Sequence, residues 1–200
     1  MRPKLLLFDI DGTLLDTGGA GGAALLDTAE EIFKVKREAL PPLDLAGATD
    51  IGVLRKLFRD AQVEMVPDAV SAFRESYLGF LHSRLNAPDF QGRLLPGVAE
   101  SVQRLAQDER FVLGLLTGNF RRGADIKLDR FRLRRPFVDG AFGDDAEDRN
   151  HLGPIALARV SAARGHQFWR RCGNYIATST TMGAFRAESS VADKQTASDS

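Results

Sequence analysis

Two aspartates stand two positions apart just after a short apolar run, in Phe8-Asp9-Ile10-Asp11-Gly12-Thr13. In an extended chain, side chains two apart face the same way, so Asp9 and Asp11 project together. Adjacent carboxylates repel unless something neutralises them. A hard divalent cation such as Mg²⁺, with oxygen ligands, does that and also attracts a phosphate. One carboxylate can then attack phosphorus while the other, protonated, gives a proton to the leaving group. Gly12 permits a sharp exit of the backbone, and Thr13 can hydrogen-bond and hold the loop. A strand-end turn rich in Asp and Gly is the bland alternative, so the pair alone does not decide.

The surrounding elements must hold these groups in place. Residues 4–8 (KLLLF) form a continuous apolar run of the kind buried on both faces of a parallel sheet. The glycine-rich stretch 18–22 (GGAGG) suits neither helix nor strand interior and reads as a hinge or plain connector. AALLDTAEEIFKVK, TDIGVLRKLFRDAQ and PDAVSAFRESYLGFLHSRL have apolar residues at helical spacing and together predict helices over about 23–86. A helix at 96–107 opens near Pro96, FVLGLL at 111–116 is a second buried strand, and 121–133 is helical. VDGAF at 138–142 is a weaker strand, and 150–164 is a helix with Asn150 as N-cap. Strands alternating with helices predict a doubly wound α/β parallel sheet, with the first helical stretch inserted after strand one. Ligands of such sheets bind beyond the carboxyl ends of the strands, where Asp9 and Asp11 lie.

FDIDGTLLDT after an apolar strand closely matches the first motif of the haloacid dehalogenase superfamily. From residue 4 to about 168 the chain resembles its phosphoglycolate-phosphatase-like members. The resemblance implies a core over 1–17 and 91–175 and a helical cap over 18–90; the tail over 176–200, without period and rich in Ser, Thr, Ala and Lys, reads as disordered. It makes Asp9 the phosphorylated nucleophile and Asp11 the general acid/base, with Mg²⁺ on Asp9, the Asp11 backbone carbonyl and a third ligand. Thr117, in LLTGN at 115–119, takes the place of the second motif, although it could merely cap the next helix. Gly12, Thr13, Gly118 and Asn119 would cradle the phosphoryl group. The basic third motif has two candidates: Arg149 is preferred, because it follows GAFGDDAED and opens a helix, while Lys127, inside ADIKL, is the alternative and reads more as a surface lysine. The implied activity is Mg²⁺-dependent hydrolysis of a small phosphorylated metabolite. The alternatives are a sugar-phosphate mutase and an impaired remnant that binds phosphate or a partner.

The fourth motif is where the pattern breaks. An acidic pair is expected after GHQF at 165–168, yet WRRCGNYIATST follows, with no acid until Glu188. The acids of Gly143-Asp144-Asp145-Ala146-Glu147-Asp148 precede the helix that should precede that motif, and read mainly as the loop before the basic residue. The change of character at 169 suggests a frameshifted or truncated C-terminus. Losing a core strand there would leave a sheet edge exposed.

Composition narrows the partners. Lys plus Arg and Asp plus Glu number 27 each, so no basic field points to nucleic acid or an acidic membrane. The run Arg132 to Arg135 reads as a solvated helix end. The single cysteine, Cys172, permits no intramolecular disulfide and fits a reducing compartment. No apolar stretch approaches spanning length, so a soluble cytoplasmic protein is expected. His82, His151 and His166 have no partners at ligand spacing. Oligomeric state is not legible.

Overall fold

The computed structural model describes residues 3–40 and 42–168. In chain order they form β1 (Lys4–Phe8), β2 (Leu15–Asp16), α1 (Ala20–Phe33), α2 (Asp50–Asp60), α3 (Pro67–Leu85) and β3 (Arg93–Leu94). There follow α4 (Val98–Gln107), β4 (Phe111–Leu116), α5 (Arg121–Arg130), β5 (Gly140–Ala141) and α6 (Leu152–Arg164). Single 3₁₀ turns occupy Arg37–Ala39 and Arg149–His151.

The apolar runs KLLLF and FVLGLL pair in parallel, Leu5 against Val112 and Leu7 against Gly114, and β4 pairs in parallel with β5. The sheet order is β1-β4-β5. Because side chains alternate along a strand, both faces need cover. Leu6, Leu113 and Leu115 pack with Val102 of α4 and with Ala124 and Leu128 of α5. Leu5, Leu7 and Val112 pack with Leu152, Ala156 and Val160 of α6. Helices therefore lie on both faces, as a doubly wound α/β fold requires. Among the described residues, the far edge of β1 pairs with no strand.

Helices α1 to α3 have a core of their own. Leu25, Leu54, Phe58, Phe73, Tyr77 and Leu81 are buried together, and the cluster reaches Phe120 of the sheet region. The antiparallel pair β2–β3, Leu15 against Leu94, closes the base of this insert. A second junction holds it on the far side. Asp50 N–H donates to Gly118 O at 2.7 Å, and Gly143 N–H to Asn119 O at 2.7 Å. A Cβ at Gly118 would overlap the Ala48 carbonyl, and one at Gly143 would overlap the Gly118 carbonyl. Three backbone segments meet with no room for side chains between them. Thr49 Oγ1 donates to Glu147 O at 2.8 Å, and Arg74 pairs with Asp144 while lying 4.8 Å from the Phe120 ring centre.

The structure corrects several sequence expectations. Helix α1 begins at Ala20 and takes in Gly21 and Gly22, although glycine weakens a helix. The reason is spatial: a Cβ on Gly21 would sit 3.2 Å from Lys127 Nζ, and one on Gly22 3.1 Å from Leu45 Cδ1. The weak strand shrinks to two residues. Asn150 is not a helix cap; the Asp148 side chain accepts from Asn150 N–H instead. Arg134 is not merely solvated, since it donates to Asp125 Oδ1 at 2.5 Å and to Phe137 O. Cys172, the altered segment from 169 and the tail at 176–200 lie outside the described residues.

Candidate active site

Ile10 is fully buried and fixes the chain between the two aspartates. Asp9 and Asp11 accordingly both line one cleft of ≈ 410 Å³ at the carboxyl end of β1. Gly12 adopts φ 73°, a left-handed conformation that side chains disfavour, and its N–H donates to Leu15 O at 2.9 Å. Thr13 N–H closes the turn onto Ile10 O, and Thr13 is not among the lining residues.

Each carboxylate has its own cation. Asp9 Oδ1 accepts from Ile10 N–H at 2.8 Å, and Oδ2 is paired with Arg149, carried by the turn that opens α6. Asp11 Oδ2 accepts from Lys127 Nζ at 2.7 Å and from Asn119 Nδ2 at 2.7 Å. Lys127 also donates to Asn119 Oδ1 at 2.5 Å. The reading of Lys127 as a surface lysine is therefore wrong. It is 4% exposed, and the bare backbone of Gly21 leaves the space through which its ammonium reaches Asp11.

Thr117 stands behind the cleft rather than in its wall. It is fully buried, and Oγ1 accepts from Asn119 N–H at 3.3 Å and Asn119 Nδ2 at 2.8 Å. Gly118 and Asn119 do line the cleft. The acids between 144 and 148 do not: Asp144 is held by Arg74 and Arg121 N–H, Asp145 by Arg159, Glu147 by Arg55, and Asp148 by Asn150. Among the described residues, no group of three or more His, Cys, Asp or Glu could hold a metal ion.

Two lining residues come from the insert: Asp50, an insert position from which sequence names no substrate, and Tyr77, which escaped sequence reasoning. Asp50 opens α2 and accepts from Phe120 N–H at 2.7 Å. The available signal was Thr49-Asp50 at a helix start, with Thr49 as N-cap, which reads as ordinary capping. Burial pushes the Asp50 carboxyl up to about 6; Lys127 and Phe120 N–H oppose this, and Asp11 and Asp144 add to it. Burial acts in the same sense on Asp11. Lys127 and Asn119 overcome it, with Arg149 adding to them, and hold that carboxyl below its usual range. Tyr77 is pushed well above the usual phenol range by burial and then by the charges of Asp50 and Asp11.

The sequence profile of haloacid dehalogenase-like hydrolases matches residues 3–163. The chain belongs to that family. No curated protein matches it by sequence. Among solved structures the hydrolase is similar to CbbY from Rhodobacter sphaeroides in complex with phosphate, at 16% identity and TM-score 0.65, covering 96% of this chain and 84% of that one. It is also similar to a hydrolase from Pseudomonas syringae, at 19% identity and TM-score 0.59, over 92% and 80%. A predicted phosphoglycolate phosphatase from Haemophilus somnus 129pt matches at 16% identity and TM-score 0.58, over 88% and 76%. At these identities the likeness is one of fold, and it agrees with the parallel sheet and helical insert of this hydrolase. No helix among its described residues is long and apolar enough to cross a membrane.

Proposed function

We propose that this hydrolase cleaves small phosphomonoesters through an aspartyl-phosphate on Asp9. The observation that carries the reading is the pairing of two carboxylates with two cations, Asp9 with Arg149 and Asp11 with Lys127, in one cleft beyond a parallel strand. An arriving phosphoryl group carries negative charge and competes with the carboxylates for both cations. Arg149 and Lys127 then hold its oxygens, as positioning and charge stabilisation require. An Asp9 carboxylate oxygen attacks phosphorus in line as the bond to the ester oxygen breaks. Asp11, losing the Lys127 charge that kept it ionised, takes up a proton and passes it to the departing alkoxide. Water next attacks the acyl-phosphate as Asp11 takes its proton, which releases phosphate and restores Asp9. Thr117 acts through Asn119, whose amide it orients between Lys127 and Asp11. In this reading the sheet elements, 1–17 and 91 onward, form the chemical core, and 18–90 form a cap over it.

The Mg²⁺ that the family resemblance implies meets an incomplete donor set. Of the cleft's four acids, Asp9 and Asp11 are each already paired with a cation, Asp16 is turned to Gly18 N–H and Asp50 to Phe120 N–H, and the described residues hold no three-acid group that could take a metal. They do not by themselves fit the ion, and no step above passes through it. The same observation favours a second reading, a fold that binds phosphate without turning esters over.

Release of p-nitrophenol from p-nitrophenyl phosphate, with added Mg²⁺ and with chelator, separates the two. Turnover that falls more than about a hundredfold in Asp9→Asn fits the hydrolase reading. Folded protein that binds phosphate yet shows no Asp9-dependent turnover in either condition sinks it.

A further inference from the structure

We propose that Asp50 and Tyr77 form a subsite selecting phosphomonoesters whose alcohol part carries a further hydroxyl group, and disfavouring those whose far end is a carboxylate or second phosphate. This rests on the phosphomonoester reading of the cleft and deepens it. Both residues come from the helical insert and face the cleft that holds Asp9 and Asp11. Tyr77 is 1% exposed, yet its hydroxyl makes no hydrogen bond among the described residues. A buried phenol normally finds a partner, so a lone one turned to a cleft marks a place where a ligand supplies it.

The chemistry of the pair specifies the partner. A phenol donates and a carboxylate accepts. A substrate hydroxyl does both, accepting from Tyr77 and donating to Asp50, so one such group satisfies the two together. A second anionic group would meet Asp50 with no cation to spare, because the two lining cations, Lys127 and Arg149, hold the phosphoryl group itself. Asp16, the remaining lining acid, is turned to Gly18 N–H and Arg93. The gain expected from one buried hydrogen bond is about tenfold in affinity.

Binding tests this without requiring turnover. Glycerol 3-phosphate and phosphoglycolate, equal in phosphate and similar in size, are titrated calorimetrically into the full chain carrying Asp9→Asn. Glycerol 3-phosphate should bind about tenfold more tightly. Adding Tyr77→Phe should remove most of that preference, and adding Asp50→Asn should improve phosphoglycolate binding. Circular dichroism melts establish that each variant is folded. Equal or tighter binding of phosphoglycolate, a preference that survives Tyr77→Phe, or no binding of either ester to folded protein each overturns the proposal. Hydrolysis of p-nitrophenyl phosphate by the unaltered chain judges the phosphatase reading separately, so the two fail by different signs.

Discussion

Lys127 is where one charge decides most. With Lys127→Met, Asp11 keeps only Asn119 and Arg149 against desolvation, so its carboxyl should rise and the phosphoryl group should lose a cation. Initial rates on p-nitrophenyl phosphate should fall by roughly 10² to 10³, the usual cost of one preorganised charge donor; a loss under threefold would remove Lys127 from the site. Asp50 offers a pH test with the opposite sign to a salt-bridged acid. Its carboxyl holds a proton more tightly folded than unfolded, so its contribution to stability is greatest in acid and declines as pH climbs from about 4 to about 6. Asp50→Asn stays neutral and keeps an oxygen for Phe120 N–H. Its melting temperature should therefore match the parent near pH 4 and exceed it by a few degrees at pH 7. An advantage independent of pH would rule out burial of charge as the cause. The place of Asp9 and Arg149 in one cleft was legible in the sequence because motif and position announce it. Lys127 was legible only as the lesser of two candidates, because a lysine eight residues beyond Asn119, with no motif of its own, is identified by what lies opposite it in space.

At the scale of elements, strands β1 and β4 and helix α3 match their sequence patterns end to end, since continuous apolar runs and an N-terminal proline leave little choice. Helix α1 does not match, since its first turn contains glycines that local propensity rejects. Gly21 trades helix stability for the Lys127 approach, and Gly21→Ala should separate the two roles. Alanine should add up to about 1 kcal/mol of helix stability in a chemical melt. Its methyl, 3.2 Å from the ammonium, should cost severalfold in phosphatase rate by moving Lys127 off Asp11. Stability and rate rising together would mean that Gly21 has no part in the site. Asn150 failed as a cap for a related reason. Asp148, two residues upstream, offers a better acceptor to the turn, and sequence alone ranks the two equally.

Across the whole molecule, insert and sheet meet at the β2–β3 base, along the Tyr77–Phe120 and Glu75–Arg122 contacts of α3 with the start of α5, and at the crossing of 48–50 with 118–119 and 143. Gly118→Ala should destabilise the protein by more than about 2 kcal/mol, because the clash is with backbone that no rotamer change relieves. Urea melts measure this, and a cost under 0.5 kcal/mol would show that the crossing opens freely. The doubly wound order was legible from alternation, whereas this crossing was not, since it joins segments about 70 residues apart through main-chain atoms. It also sets the unit of recombination. A helical insert exchanged between relatives at residues 18 and 90 alone would bring a foreign 48–50 segment against a resident loop shaped to another backbone. A working chimera has to carry residues 117–120 and 143 with the helical insert, so the inherited module is larger than the contiguous stretch of sequence that draws the eye.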